Sequence, residues 1–242
     1  MSNNKIASKD RLIFAMDVPH CGRARELVTD LGDAVTFYKI GLELMMSGGY
    51  FDLLTWLLAK DKKVFCDLKF FDIPATVGSA VRQLKDRGAS FVTVHGNQSI
   101  MEAAAQNKGD SLKILAVTVL TSLDRGDLDD LGFACDVTDL VISRARRALE
   151  AGCDGVISSG LEVPMLREHI GQKLLVVTPG IRPVDNKPAG DQKRVVTVET
   201  AFANGADHIV VGRPIRDAAD PRAAAEAIQA TIADQVAAQV GA

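Results

Sequence analysis

Short runs of apolar, β-prone residues recur along the chain at 12–16, 35–40, 64–66, 91–94, 114–119, 155–157, 174–177 and 208–211. Between them lie longer stretches whose apolar residues fall at helical spacing, among them 75–87 and 137–151. Runs that stay apolar without alternation describe strands covered on their faces, as in a parallel sheet. Eight repeats of strand then helix within 242 residues predict an α/β chain folded as a (β/α)8 TIM barrel.

The punctuation agrees with that pattern. Gly88, Gly152 and Gly205 each fall where a helix must end before the next strand, a place that favours a left-handed residue. Asp220-Pro221 reads as an N-cap followed by proline in the first turn of the last helix. A doubly wound open sheet is the competing architecture. It needs a glycine-rich fingerprint after the first strand, and Met16-Asp17-Val18-Pro19 is not one. No Pro/Gly/Ser-rich linker divides the chain. The expectation is a single domain over residues 1–242, with residues 1–10 as a polar N-terminal tail.

Composition narrows the class. The chain is 47% apolar and 24% charged, which is globular, and its 5% aromatic content leaves the core to Val, Ile, Leu and Ala. A net charge of −3 gives no basic footprint, so no nucleic-acid partner is expected. The polar start lacks a signal-peptide core, and stretches such as 114–120 are too short to cross a bilayer. Cys21, Cys66, Cys135 and Cys153 are scattered, without C-x-x-C or zinc spacing, and read as reduced thiols of a cytoplasmic protein. The four histidines show no metal-ligand spacing, so no metal site is expected.

The most informative segment is Asp67-Leu68-Lys69-Phe70-Phe71-Asp72, directly behind the apolar run 64–66. Side chains alternate along a strand, so Asp67 and Lys69, two apart, point to the same side. A buried acid and base each lose several kcal/mol of hydration (order of magnitude) unless paired, so the cluster suggests a site where charge is used chemically. Other polar residues collect at the C-terminal ends of the strands, where barrel enzymes place their catalytic groups. They are Asp17, Lys39, His95, Thr118, Thr121, Ser158, Ser159, Thr178 and Arg213. The loops after strands seven and eight are the usual phosphate site of such barrels. There Gly212-Arg213 offers a backbone N–H and a guanidinium, and residues 215–218 are expected to form a short helix. The long loop from Thr178 to Val195 carries Gly190-Asp191-Gln192 at a tip able to close over a bound phosphate.

Seven segments in order then form a specific likeness. They are Phe14-Ala15-Met16-Asp17, Tyr38-Lys39-Ile40-Gly41, DLKFFDIPATV (67–77), VTVLTS (117–122), TPGIRP (178–183), GDQKRVVT (190–197) and VVGRPI (210–215). Together they resemble the orotidine 5′-monophosphate decarboxylase family, from the first strand to the last. The resemblance implies cofactor-free decarboxylation of orotidine 5′-monophosphate to UMP and CO2, the last step of UMP synthesis. It implies an alternating network Lys39–Asp67–Lys69–Asp72 with Lys69 as proton donor. It also implies a homodimer in which Asp72, Ile73 and Thr76 enter the neighbouring subunit's site. Asp17 and Lys39 are matched to ribose contacts, Ser159 to the pyrimidine edge, and Gln192 to a bridge between ring and phosphate. Gly212 and Arg213 are matched to phosphate binding, and Thr121, Pro179 and Arg182 to the substrate-lined rim.

Two positions depart from the family pattern, which usually has histidine where Phe71 stands and asparagine where Ala75 stands. The expected effects are confined to packing or the dimer contact. The alternative within the same barrel group is a Mg2+-dependent keto-sugar-phosphate decarboxylase or hexulose-phosphate synthase. Those resemble this chain in D-x-K-x-x-D but carry an acid at the end of strand two, where Lys39 stands and would repel a divalent metal. A non-catalytic phosphate-binding barrel is the other alternative, and it has no reason to hold Lys69 between two carboxylates.

Overall fold

The apolar runs become eight parallel strands that close on themselves in a computed structural model describing residues 6–182 and 194–240. The strands are β1 (Leu12–Ala15), β2 (Phe37–Gly41), β3 (Lys63–Phe70), β4 (Phe91–Val94), β5 (Lys113–Val117), β6 (Gly155–Ile157), β7 (Leu175–Thr178) and β8 (His208–Val211). Each pairs with its sequence neighbours, and Leu12 opposite Ile209 joins β1 to β8. The predicted barrel is the observed one. β3 runs four residues past the apolar run 64–66, because its charged end pairs internally instead of breaking the strand.

Helices α1 (Cys21–Leu31), α2 (Leu42–Met46), α3 (Tyr50–Leu58), α4 (Pro74–Lys85), α5 (Gln98–Asn107) and α6 (Arg125–Asp130) lie between the earlier strands. They are followed by α7 (Val137–Glu150), α8 (Val163–Ile170), α9 (Val198–Ala203), α10 (Arg213–Arg216) and α11 (Pro221–Val240). Pro74 and Pro221 open their helices, where a missing N–H costs nothing. Asp220 accepts from the Ala223 N–H at 3.0 Å, as an N-cap should. Gly88, Gly152 and Gly205 take φ of +81°, +80° and +99° at the expected helix ends. The short helix of the phosphate loop differs from expectation. It starts at Arg213, not Ile215, because Pro214 fits a first turn and lets the helix begin at once.

Two apolar shells hold the barrel. The outer one lies between strands and helices and includes Leu27, Leu53, Val81, Ile114, Leu166 and Phe202. Each such fully buried side chain contributes about 1.5–3 kcal/mol. The inner one fills the barrel itself with Ile13, Phe37, Phe65, Phe91, Leu115 and Val177. Its base is aromatic: the Phe37 and Phe91 rings meet at 5.0 Å, and His208 sits edge-on to both. The described end of the polar N-terminal segment is part of this base and does not trail from it. Ser8–Asp10 form a 3-10 turn, and Asp10 binds Lys63 at 2.6 Å and Thr36 at 3.1 Å.

Period-two alternation inside the barrel places the site. Two residues beyond Phe37, Phe65 and Phe91 on their strands stand Lys39, Asp67 and Thr93. An apolar floor of rings thus carries a polar layer on its C-terminal side, at the mouth of the barrel.

Candidate active site

At that mouth, four charges alternate in a line. The Lys39 ammonium lies 2.9 Å from Asp17 Oδ1 and 3.4 Å from Asp67 Oδ2, while the Lys69 ammonium lies 2.9 Å from Asp67 Oδ1. Burial pushes the Lys39 pKa down, but Asp67 and Asp17 together outweigh it, and the result lies above the ordinary lysine value. Burial likewise raises Asp67, and here Lys39, Lys69 and hydrogen bonds from Lys69 and Thr93 reverse the sign, leaving its pKa lowered. The site is built to keep its charges.

The geometry of Lys69 differs from the simple alternation read in the sequence. Cys66 pairs with Val92 and Phe70 with Val94, so four steps along β3 oppose two along β4. Lys69 sits within this bulge at φ +47°, a left-handed backbone that costs a lysine about 1–2 kcal/mol. Its side chain still reaches Asp67, but the bulge brings it there. Its backbone N–H has Thr93 Oγ1 as acceptor at 2.9 Å, and Thr93 Oγ1 donates to Asp67 Oδ1 at 2.8 Å. Thr93 is wholly buried and the sequence reading did not single it out. The signal was its parity with Lys39 and Asp67.

The charged line forms one side of a cavity of about 660 Å³. Asp17, Lys39, Asp67, Lys69, Thr121, Pro179, Arg182, Gly212 and Arg213 all line it. Its floor is apolar, from Phe65, Val117, Ile157 and Val210. Arg216, also not anticipated, lines the far edge and donates to the Asp17 carbonyl at 2.7 Å. It thereby ties the end of β1 to the turn that carries Arg213. An apolar floor, a charged wall and an arginine at the rim suit a small polar ligand that carries an anionic group.

Comparison with known proteins gives the family. The family model described as "Orotidine 5'-phosphate decarboxylase / HUMPS family" matches residues 10–228. The chain belongs to this family. An orotidine 5'-phosphate decarboxylase of Methylococcus capsulatus is 68% identical over 238 residues, covering 98% of each chain. One of Stenotrophomonas maltophilia is 52% identical over 232 residues, covering 95% of each. Among solved structures, the orotidine 5'-phosphate decarboxylase of Lactobacillus acidophilus superposes with a TM-score of 0.82 at 36% identity. It covers 92% of this chain and 99% of that one.

Not every position matched to the orotidine 5'-phosphate decarboxylase / HUMPS family meets in the cavity. Asp72, Ile73 and Thr76 lie outside it, exposed at the start of α4, and Asp72 Oδ1 accepts from the Ile73 N–H at 2.6 Å. Within one chain the line is therefore Asp17–Lys39–Asp67–Lys69, and Asp72 is not its fourth member. Ser159 is fully buried behind the wall, and its Oγ accepts from the Leu161 N–H at 3.3 Å. Gln192 and the Gly190-Asp191 tip lie outside the described residues. The two departures from this decarboxylase family's pattern stay clear of the cavity. The Phe71 ring, 69% exposed, meets His95 at 5.5 Å and covers Gly96, where any Cβ would stand 2.6 Å from it. Ala75 is exposed in the first turn of α4.

Among the described residues, no group of three or more His, Cys, Asp or Glu is arranged to hold a metal ion. No helix among them is long and apolar enough to cross a membrane.

Proposed function

We propose that this protein decarboxylates orotidine 5′-monophosphate to UMP and CO2, the last step of UMP synthesis, with no metal or coenzyme. The observation that carries the reading is the Lys69 ammonium, 2.9 Å from Asp67 at the wall of a cavity with an apolar floor. Breaking the bond to CO2 leaves an electron pair in an sp2 orbital in the ring plane, outside the π system. A cation already in place beside that carbon is then the most direct stabilisation. At about 4 Å and an effective dielectric of about 20, one unit charge contributes about 4 kcal/mol, or roughly a thousandfold in rate. Lys69 then gives its proton to the carbon, forming the C–H bond of UMP, and regains one from solvent.

The other residues bind and aim the substrate. Asp17 and Lys39 contact the ribose hydroxyls, and Asp67 pairs with both lysines. The Gly212 N–H and Arg213 take the phosphate, with Thr121, Pro179, Arg182 and Gln192 around the substrate and Ser159 toward the ring edge. The phosphate is remote from the bond that breaks, so its binding energy serves to hold the ring against the charged wall. The active form is a homodimer in the cytoplasm, with Asp72, Ile73 and Thr76 supplied across the interface. Their exposure at the start of α4, outside their own chain's cavity, supports this reading.

A Mg2+-dependent sugar-phosphate reaction, the other activity of this barrel group, is not favoured. Lys39 stands 3.4 Å from Asp67, in the place a divalent cation would need. The reading is tested by the fall in orotidylate ultraviolet absorbance with purified protein in excess EDTA. Undiminished turnover supports it, and turnover that requires added Mg2+ overturns it.

A further inference from the structure

Where β3 bulges away from β4, Lys69 loses its strand partner, and its part-buried N–H needs another acceptor. The residue opposite the bulge is Thr93, the single position between Val92 and Val94. Its hydroxyl supplies the missing acceptor at 2.9 Å and in turn donates a hydrogen bond to Asp67 Oδ1 at 2.8 Å. The direction of this relay is fixed. A backbone N–H only donates, and an Asp67 carboxylate with a lowered pKa only accepts.

The contacts close a ring through Lys69. Its backbone N–H is tied to Thr93, Thr93 to Asp67, and Asp67 to the Lys69 ammonium at 2.9 Å. Both ends of the lysine are thereby referred to one hydroxyl. This arrangement holds the left-handed backbone at φ +47° and limits where the ammonium can point. Thr93 is itself 0% exposed and is not part of the cavity wall, so it touches no substrate.

We propose that Thr93 is a positioning residue for the reaction: its one hydroxyl sets the Lys69 backbone and the Asp67 carboxylate together, and so aims the ammonium at the reacting carbon. The inference rests on the decarboxylase reading above. A shift of about 1 Å in a reacting group can cost about a hundredfold in rate. A threonine that only satisfies the strand would change stability and leave the chemical step alone.

The test compares Thr93→Val, which keeps the shape without the hydroxyl, with Thr93→Ser, which keeps the hydroxyl. kcat and KM for orotidine 5′-monophosphate and the inhibition constant of UMP are measured for each beside the wild type. The expected result is a loss of about a hundredfold in kcat for Thr93→Val, with KM and UMP affinity within about threefold. Thr93→Ser is expected to recover most of that loss. If Thr93→Val does not accumulate as folded protein, Thr93→Ala is judged by the same criteria. A folded hydroxyl-less variant with wild-type kcat overturns the inference, as does an equal loss in Thr93→Ser or a loss confined to KM. An inactive wild type would instead overturn the decarboxylase reading, and the inference with it.

Discussion

Lys39 and Lys69 take opposite oxygens of one carboxylate, at 3.4 Å and 2.9 Å from Asp67. Two ammonium groups this close repel, and the shared acid offsets that repulsion in a mostly buried wall. Asp67→Asn leaves them facing a neutral amide. The expected outcome is a loss of about 3 kcal/mol in stability, seen as a lower urea midpoint. kcat is expected to fall at least about a hundredfold in the same variant. Wild-type stability with wild-type kcat would mean the carboxylate is idle.

The far end of the cavity answers to a different substitution. Arg213→Ala removes a charged hydrogen-bond donor worth about 1.5–3 kcal/mol, so kcat/KM is expected to drop by roughly tenfold to a hundredfold. Inorganic phosphate or UMP should inhibit the variant less than the wild type. Unchanged kcat/KM would remove Arg213 from the phosphate site.

The proposed homodimer, with Asp72 supplied across its interface, makes an arithmetic prediction. Lys69→Ala and Asp72→Ala should each be inactive alone. When the two are unfolded together and refolded, random pairing makes half the dimers hybrids, and each hybrid has one site with both residues intact. Activity should return to about a quarter of the wild-type level. No recovery in folded mixed dimers would place Asp72 in its own chain's site or in none.

His208 links the barrel base to acid stability. Burial among Phe37 and Phe91 drives its pKa from 6.5 down to about 4, against weaker opposing pulls from the Asp10 carbonyl and Asp207. Between pH 6.5 and 4 the unfolded chain holds a proton there that the native state does not. This contribution to stability is complete above pH 6.5 and falls as pH drops, by about 3 kcal/mol near pH 4. His208→Gln should flatten that part of the curve in urea unfolding at pH 7 and pH 4.5. An identical pH dependence in the two proteins would contradict it.

How much of this was legible in the sequence follows from what periodicity encodes. The strands could be read because parallel barrel strands are apolar on both faces, and 91–94, 155–157 and 208–211 coincide with the observed elements. Asp17, Lys39, Asp67 and Arg213 could be read because charges at strand ends have few structural uses. The bulge at Lys69 could not, since a left-handed lysine leaves no compositional mark. Thr93 was missed because threonine is an ordinary strand former, and only its place two residues beyond Phe91 marks it as inward-facing. Arg216 was missed because its role depends on β1 and α10 meeting, which is a tertiary fact. Ser159 lies beyond the end of β6, outside any regular strand, so strand alternation could not say which way its side chain faces.

The most direct measurement follows orotidylate absorbance with Lys69→Ala beside the wild type, together with UMP binding by calorimetry. The account expects the wild type to turn over in EDTA and the variant to lose at least about a thousandfold in kcat while still binding UMP. Turnover by Lys69→Ala near the wild-type rate would contradict it, because the ammonium at the cavity wall would then be neither the stabilising charge nor the source of the proton.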